Sequence, residues 1–185
     1  MTVRTPAPPY VGEGPRALWH VSEDPFIKRF EPHVSATASS PEPRVWAVDT
    51  RHLPLYWFPR ECPRGTFWAT AETTAADAAL LAGSARVHIV ETGWVDRIQA
   101  ARVYAYRLAE ESFAPDDEVG GYWLSRETVL PVDVVRLDDL VARHRAAAIE
   151  LRPLDNLWPM WNRVVASSLE FSGIRLRNAL PPAGS

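Results

Sequence analysis

The chain has 185 residues, a formal net charge of −3, 46% hydrophobic residues and eight Trp. That length suits one domain, and the apolar content supplies a sizeable core, which excludes disorder of the whole chain. A slightly acidic balance excludes a general nucleic-acid binder, which needs a clustered basic face. Lys28 is the only lysine, and the arginines are spread along the chain. One cysteine, Cys62, rules out an intramolecular disulfide and a Cys-based zinc site, and fits a reducing cytosol. No apolar run approaches the roughly 20 residues of a membrane span. Residues 1–16 are rich in Pro and Gly and lack an apolar signal core, so they read as a flexible leader.

Ala17–Ser22 is predicted as the first strand, on Leu18, Trp19 and Val21. Asp24-Pro25 initiates a turn, and 35–44 is a loop by composition. Arg44–Asp49 is the second strand, with Asp49 or Thr50 available to cap the next segment. Arg51–Phe58 is too aromatic to be solvated and reads as a short helix with Pro54 in its first turn. Pro63-Arg64-Gly65 reads as a turn, and Thr66–Ala69 as the third strand. Thr73–Leu81 is a short threonine-capped helix, and Arg86–Glu91 the fourth strand. In Trp94–Ala101, Trp94, Ile98 and Ala101 share a helical face. Arg102–Leu108 alternates like a strand, and Glu110–Gly121 is an acidic loop. Tyr122–Ser125 and Thr128–Val135 form a strand pair or one bent strand, interrupted by Pro131. Leu137–Ala148 is a helix whose charge order suits the helix dipole. Leu154–Ser172 is a longer helix stopped by Gly173, Ile174–Asn178 is extended, and 181–185 is a tail.

This order predicts an α+β fold: a twisted, mostly antiparallel, split sheet with short helices. The C-terminal helices, about 137–172, pack on one side of a single domain over 17–180. Dinucleotide-fold and P-loop glycine motifs, paired zinc-binding histidines and a nucleophile elbow are all absent from the sequence. A membrane partner and a metal are therefore not expected.

Three places can carry chemistry. His20, with Ser22 two residues on, leaves the first strand as either a hydrogen-bonded structural histidine or a ligand group. Tyr56-Trp57-Phe58, flanked by His52 and Arg60, is either core or an aromatic wall on which a flat heterocycle stacks. Glu127 follows the acidic loop at a strand end, as either a surface carboxylate or a working one.

The segments LWHVSEDPFIKRFEP, VWAVDTRHLPLYWFPRECPR, GYWLSRETVLP and NLWPMWNRVVASSLEFSGIRLRN resemble an uncharacterised bacterial family of unknown function. More distantly, the layout resembles the ADP-ribosyltransferase superfamily. Those folds open on a strand with histidine and, two residues on, a hydroxyl. They continue with an aromatic that stacks on nicotinamide, and carry a glutamate on a late strand. The resemblance implies NAD as substrate, Glu127 as the catalytic carboxylate, His20 and Ser22 as nucleotide-binding residues, and Tyr56 or Trp57 as the stacking aromatic. Two positions depart from the pattern: Val21 stands where many such transferases have glycine, and Ser125 stands where arginine-modifying members have Glu or Gln. That implies an acceptor other than arginine. The resemblance thus leads to a cytoplasmic NAD-dependent enzyme cleaving the nicotinamide–ribose bond. The alternatives are a non-catalytic nucleotide-binding module on the same fold, or an interaction domain using Trp158 and Trp161.

Overall fold

A computed structural model of the chain describes residues 17–34, 41–116 and 121–182. The expected leader, and parts of the 35–44 loop, the acidic loop and the tail, lie outside the described residues. Among the described residues, ten strands occur in chain order: β1 Leu18–Ser22, β2 Val45–Asp49, β3 Arg64–Trp68, β4 Arg86–Glu91, β5 Val103–Leu108, β6 Phe113–Pro115, β7 Tyr122–Ser125, β8 Pro131–Leu137, β9 Ile149–Leu154 and β10 Glu170–Ile174. The α-helices are short: α1 Ala75–Ala78, α2 Val95–Ala100, α3 Leu140–Ala146 and α4 Trp158–Val165. The fold is α+β with two mostly antiparallel sheets.

The chain divides into two units, one ending at Trp57 and resuming over Val103–Leu137, the other made of Phe58–Arg102 and the chain from Asp138 onward. In the first unit the sheet order is β6-β7-β2-β1-β5-β8. Every ladder in it is antiparallel. Alternation puts every second residue on one face. His20 pairs with Tyr106, and Leu18 with Leu108 and Asp49, so these side chains share a face. Leu18, Val45, Ala47, Tyr106, Leu108 and Phe113 make that face the core, covered by Phe30 and Val129. Phe30 and Val129 exchange backbone hydrogen bonds of 2.8 and 2.9 Å. The predicted helix over Arg51–Phe58 is a 3-10 turn at Leu53–Tyr56.

In the second unit the order is β10-β3-β4-β9, with β4 and β9 parallel and the rest antiparallel. One face packs Phe67, Val87 and Ile89 against Leu157, Trp161 and Val164 from α4 and its approach. Trp161 lies across Gly65 and Gly173, which pair across β3 and β10. A Cβ on either glycine would sit 2.7 Å from its indole. The opposite face of the sheet carries Thr66 and His88, paired across β3 and β4. His144 of α3 meets His88 there, and the Phe58 ring packs on both imidazoles.

Several elements differ from the sequence expectation. Pro63-Arg64-Gly65 is no turn: Arg64 and Gly65 begin β3, and the glycine serves the close approach of Trp161. The helix expected over Leu137–Ala148 begins only at Leu140, because Asp139 caps it through Ala142 N while Leu137 closes β8. The helix expected over Leu154–Ser172 ends at Val165, and β10 comes after it. The Ser167 hydroxyl donates to the Val164 carbonyl, and Ser168 turns to Asp77, which takes the backbone out of the helix. β9 and β6 are not among the expected strands; β6 is a three-residue piece inside the acidic loop, held by Phe113 opposite Ser125. The Ile174–Asn178 piece contains a 3-10 turn at Leu176–Asn178.

Candidate functional site

The candidate site lies in the first unit, where β7, β2 and β1 are neighbours. The ladder between β1 and β2 is brief: only Leu18–Asp49 and Trp19–Val48 pair. Past it, the imidazole of His20 replaces the ladder, with Nδ1 2.9 Å from the Trp46 carbonyl. A carbonyl only accepts, so Nδ1 carries the proton and donates. The ring is half-buried and packs against Phe30, centroid to centroid 4.7 Å.

The chain beyond His20 is tied down locally. Ser22 Oγ accepts from Asp24 N at 3.1 Å, and Asp24 Oδ1 accepts from Phe26 N at 2.8 Å. The Tyr106 hydroxyl donates to the Asp24 carbonyl at 2.5 Å and accepts from Ile27 N at 3.2 Å. Burial raises the pKa of that hydroxyl above the ordinary tyrosine value, so it stays a donor at neutral pH. These bonds carry the chain from the end of β1 to Phe30.

Glu127 is exposed, just past the end of β7. Its backbone N–H donates to Ser125 Oγ at 3.1 Å, and Ser125 Oγ donates to Ser112 Oγ at 3.0 Å. Ser125 is 1% exposed, on the same sheet face as its partner Val45. Two residues beyond Glu127, Val129 pairs with Phe30. Thus Phe30 touches His20 with its ring and holds the Glu127 segment with its backbone. Arg126 is turned to Glu42, 3.0 Å away.

The aromatic cluster occupies the other end of β7. The Tyr56 hydroxyl bonds the hydroxyl of Tyr122, and the Tyr122 ring stands at right angles to Trp46 at 5.6 Å. Tyr122 pairs with Val48, which pairs with Trp19, so by register Tyr122 is on the face opposite His20. Trp57 is half-buried, and its backbone N–H donates to the Pro54 carbonyl. The site residues therefore fall into two groups. His20, Ser22 and the Glu127 segment gather on the Phe30 side, and Tyr56 lies on the Tyr122 side. Trp46 links them, with its carbonyl on His20 and its ring on Tyr122.

Four further residues belong to this constellation, of which the sequence reading names only His52 among its candidates, as a flank of the aromatic cluster. Phe30 and Trp46 connect the groups, and only tertiary pairing reveals them. Asp49 and His52 are both buried, with Oδ1 2.8 Å from Nδ1. Their spacing of three, at the exit of a predicted strand, is a legible signal. The Asp49 N–H reaches the Gly121 carbonyl, and the His52 ring lies on Gly121 so closely that a Cβ there would be 2.5 Å away. Gly121 has φ +79°, which also favours glycine. This packing fixes the start of β7, and with it Tyr122, against the turn that bears Tyr56.

Among the described residues, no three His, Cys, Asp or Glu side chains are placed to hold a metal ion. No helix among them is long and apolar enough to cross a membrane. The model of a family of unknown function, DUF6886, matches residues 19–179, and the chain belongs to that family. No curated protein and no solved structure matches it.

Proposed function

We propose that this member of a family of unknown function is an NAD-cleaving enzyme of the ADP-ribosyltransferase type, its reaction centred between His20 and Glu127. One observation carries the reading: Phe30 packs on the His20 ring and pairs with Val129, two residues past Glu127. That shared neighbour, between segments 107 positions apart by their numbers (127 − 20), supports one site for the histidine of the first strand and the glutamate of a late strand. The adjacency of β1, β2 and β7 supports the same reading.

The chemistry asked of these groups is limited. The bond from the anomeric carbon to the nicotinamide nitrogen breaks, and nicotinamide leaves with the electron pair. The sugar develops oxocarbenium character, as in glycoside cleavage. Glu127 supplies a carboxylate near that charge and can accept the ribose hydroxyl. His20 Nδ1 is committed to the Trp46 carbonyl, which fixes the ring and turns Nε2 to the other side. Water or another nucleophile then bonds to the anomeric carbon and releases its proton. In this proposal Ser22 completes the nucleotide contacts of the first strand. Tyr56, bonded to Tyr122 on the other face of the sheet, does not reach a base held beside His20, so in this proposal the leaving base is held on the Phe30 side. Ser125 is buried and engaged with Ser112, so it does not select an acceptor.

The test is nicotinamide release from NAD by the wild type and by Glu127→Gln. The variant should release nicotinamide on the order of 10²–10³ times more slowly, as expected for a lost electrostatic stabiliser. Its melting temperature should be unchanged, because the side chain is exposed. Equal release by both proteins overturns the reading. An NAD-dependent rise in melting temperature without release points instead to a non-catalytic nucleotide-binding module.

A further inference from the structure

A short proton ladder runs through the second unit, on the face of the sheet away from Trp161. His144 Nδ1 lies 2.6 Å from the Leu140 carbonyl, which can only accept, so Nδ1 carries the proton. A neutral His144 then presents a lone pair at Nε2. That atom lies 3.0 Å from His88 Nδ1, so His88 Nδ1 must be the donor. Both rings are fully buried. Burial, the neighbouring His144, and the Arg86 and Arg64 charges hold His88 neutral, so its remaining nitrogen, Nε2, is an acceptor without a proton.

Among the described residues, His88 Nε2 has no hydrogen-bond partner, and neither does Thr66 Oγ1. The two residues stand directly opposite each other on β3 and β4, with side chains on the same face. Opposed residues on adjacent strands have Cβ atoms about 5 Å apart. Thr66 is 1% exposed and His88 is 0% exposed. A buried hydroxyl and a buried imidazole nitrogen left without partners each carry an uncompensated desolvation cost. They are also complementary, one a donor and the other an acceptor.

We infer that one water molecule is bound between Thr66 and His88, accepting from Thr66 Oγ1 and donating to His88 Nε2. Nε2 without a proton only accepts, so the occupant must donate to it, while the hydroxyl can meet the occupant as donor or acceptor. The Arg64 and Arg86 charges near His88 oppose a cation. An anion would face the Nε2 lone pair. A neutral molecule of water size meets both atoms.

A high-resolution crystal structure of the full chain tests the site. It should contain an ordered density peak within hydrogen-bond distance of both atoms. The absence of a peak, a direct bond between Thr66 and His88, or a peak with an anomalous metal signal overturns the inference. The isosteric variant Thr66→Val should lose the peak. Nitrogen-15 imidazole spectra of the wild type test the proton placement without any variant. They should report His88 in the Nδ1–H form, and the Nε2–H form overturns the inference.

Discussion

His20 donates through Nδ1 to the Trp46 carbonyl at the point where the ladder between β1 and β2 has ended. A side chain takes over from the backbone there, so the histidine has a structural duty in addition to the proposed nucleotide-binding one. His20→Ala should therefore do two things. It should lower stability by about 1 kcal/mol, the net worth of one hydrogen bond, plus the lost packing on Phe30. It should also weaken the NAD-dependent thermal shift. His20→Asn, which keeps a donor near the carbonyl, should recover much of the stability and little of the NAD response. Urea titrations and melting curves with and without NAD separate the two effects. Full recovery of both by Asn would confine His20 to the structural duty.

Acid should loosen the second unit before its carboxylates protonate. Burial lowers the pKa of His144 to about 4, and lowers that of His88 well below the ordinary value of 6.5. The unfolded chain takes up these protons near pH 6.5 and the folded chain does not, so unfolding gains protons as pH falls. The stability from the neutral pair is complete above pH 6.5 and is lost steadily below it. For His144 the loss totals about 3 kcal/mol by pH 4. Glu61, Asp77 and Glu150 have lowered pKa values, so their contributions persist through the upper part of that range. Urea midpoints at pH 7 and pH 5 should already differ, and His144→Phe should flatten that difference. Equal wild-type midpoints would contradict the burial of a neutral pair.

Gly65→Ala and Gly173→Ala should each destabilise by about 1–3 kcal/mol, because Trp161 cannot retreat without opening the core beside α4. Combining either substitution with Trp161→Leu should recover part of the loss. Denaturant midpoints for the single and double variants measure the coupling. A neutral Gly173→Ala would mean the indole has room to move.

Cys62 should be inert in the native protein. It is 0% exposed, and burial pushes its thiol up to about 12, against the pull of Arg64 and Arg97. The thiolate is the reactive form, so a thiol reagent at pH 8 should label it only as fast as the chain unfolds. Labelling in native buffer at the rate of a free thiol would contradict its burial.

Elements with local signatures are legible in the sequence. β1, β2, β4 and β5 stand where alternation and β-branched runs place them. The C-terminal half is harder to read. Trp158, Trp161 and Val164 have helical spacing, and the pattern runs on through Leu169 unless Ser167 and Ser168 are known to bond Val164 and Asp77. Only the tertiary partner of Ser168 settles that point. Gly65 reads as a turn residue because close approach by an indole has no local sequence signature. In the site, His20, Tyr56 and Glu127 stand out by residue type, but face and register do not. Tyr122 and Trp123 are adjacent in sequence and project to opposite sides of the sheet, which separates Tyr56 from His20.

The pairing of β4 with β9 has a consequence for synthesis. These strands are parallel neighbours, yet Glu91 and Ile149 are separated by the whole later part of the first unit's sheet. β10, the other flank of β3, emerges later still. On the ribosome, β3 and β4 must wait with both outer edges open while β5 to β8 are made. The first unit can complete its six strands by Leu137, whereas the second closes only once β10 has emerged. Nascent chains ending before Ile149, and carried clear of the ribosome by a long unstructured linker, should therefore protect β1 and β2 from protease while leaving β3 and β4 cleavable.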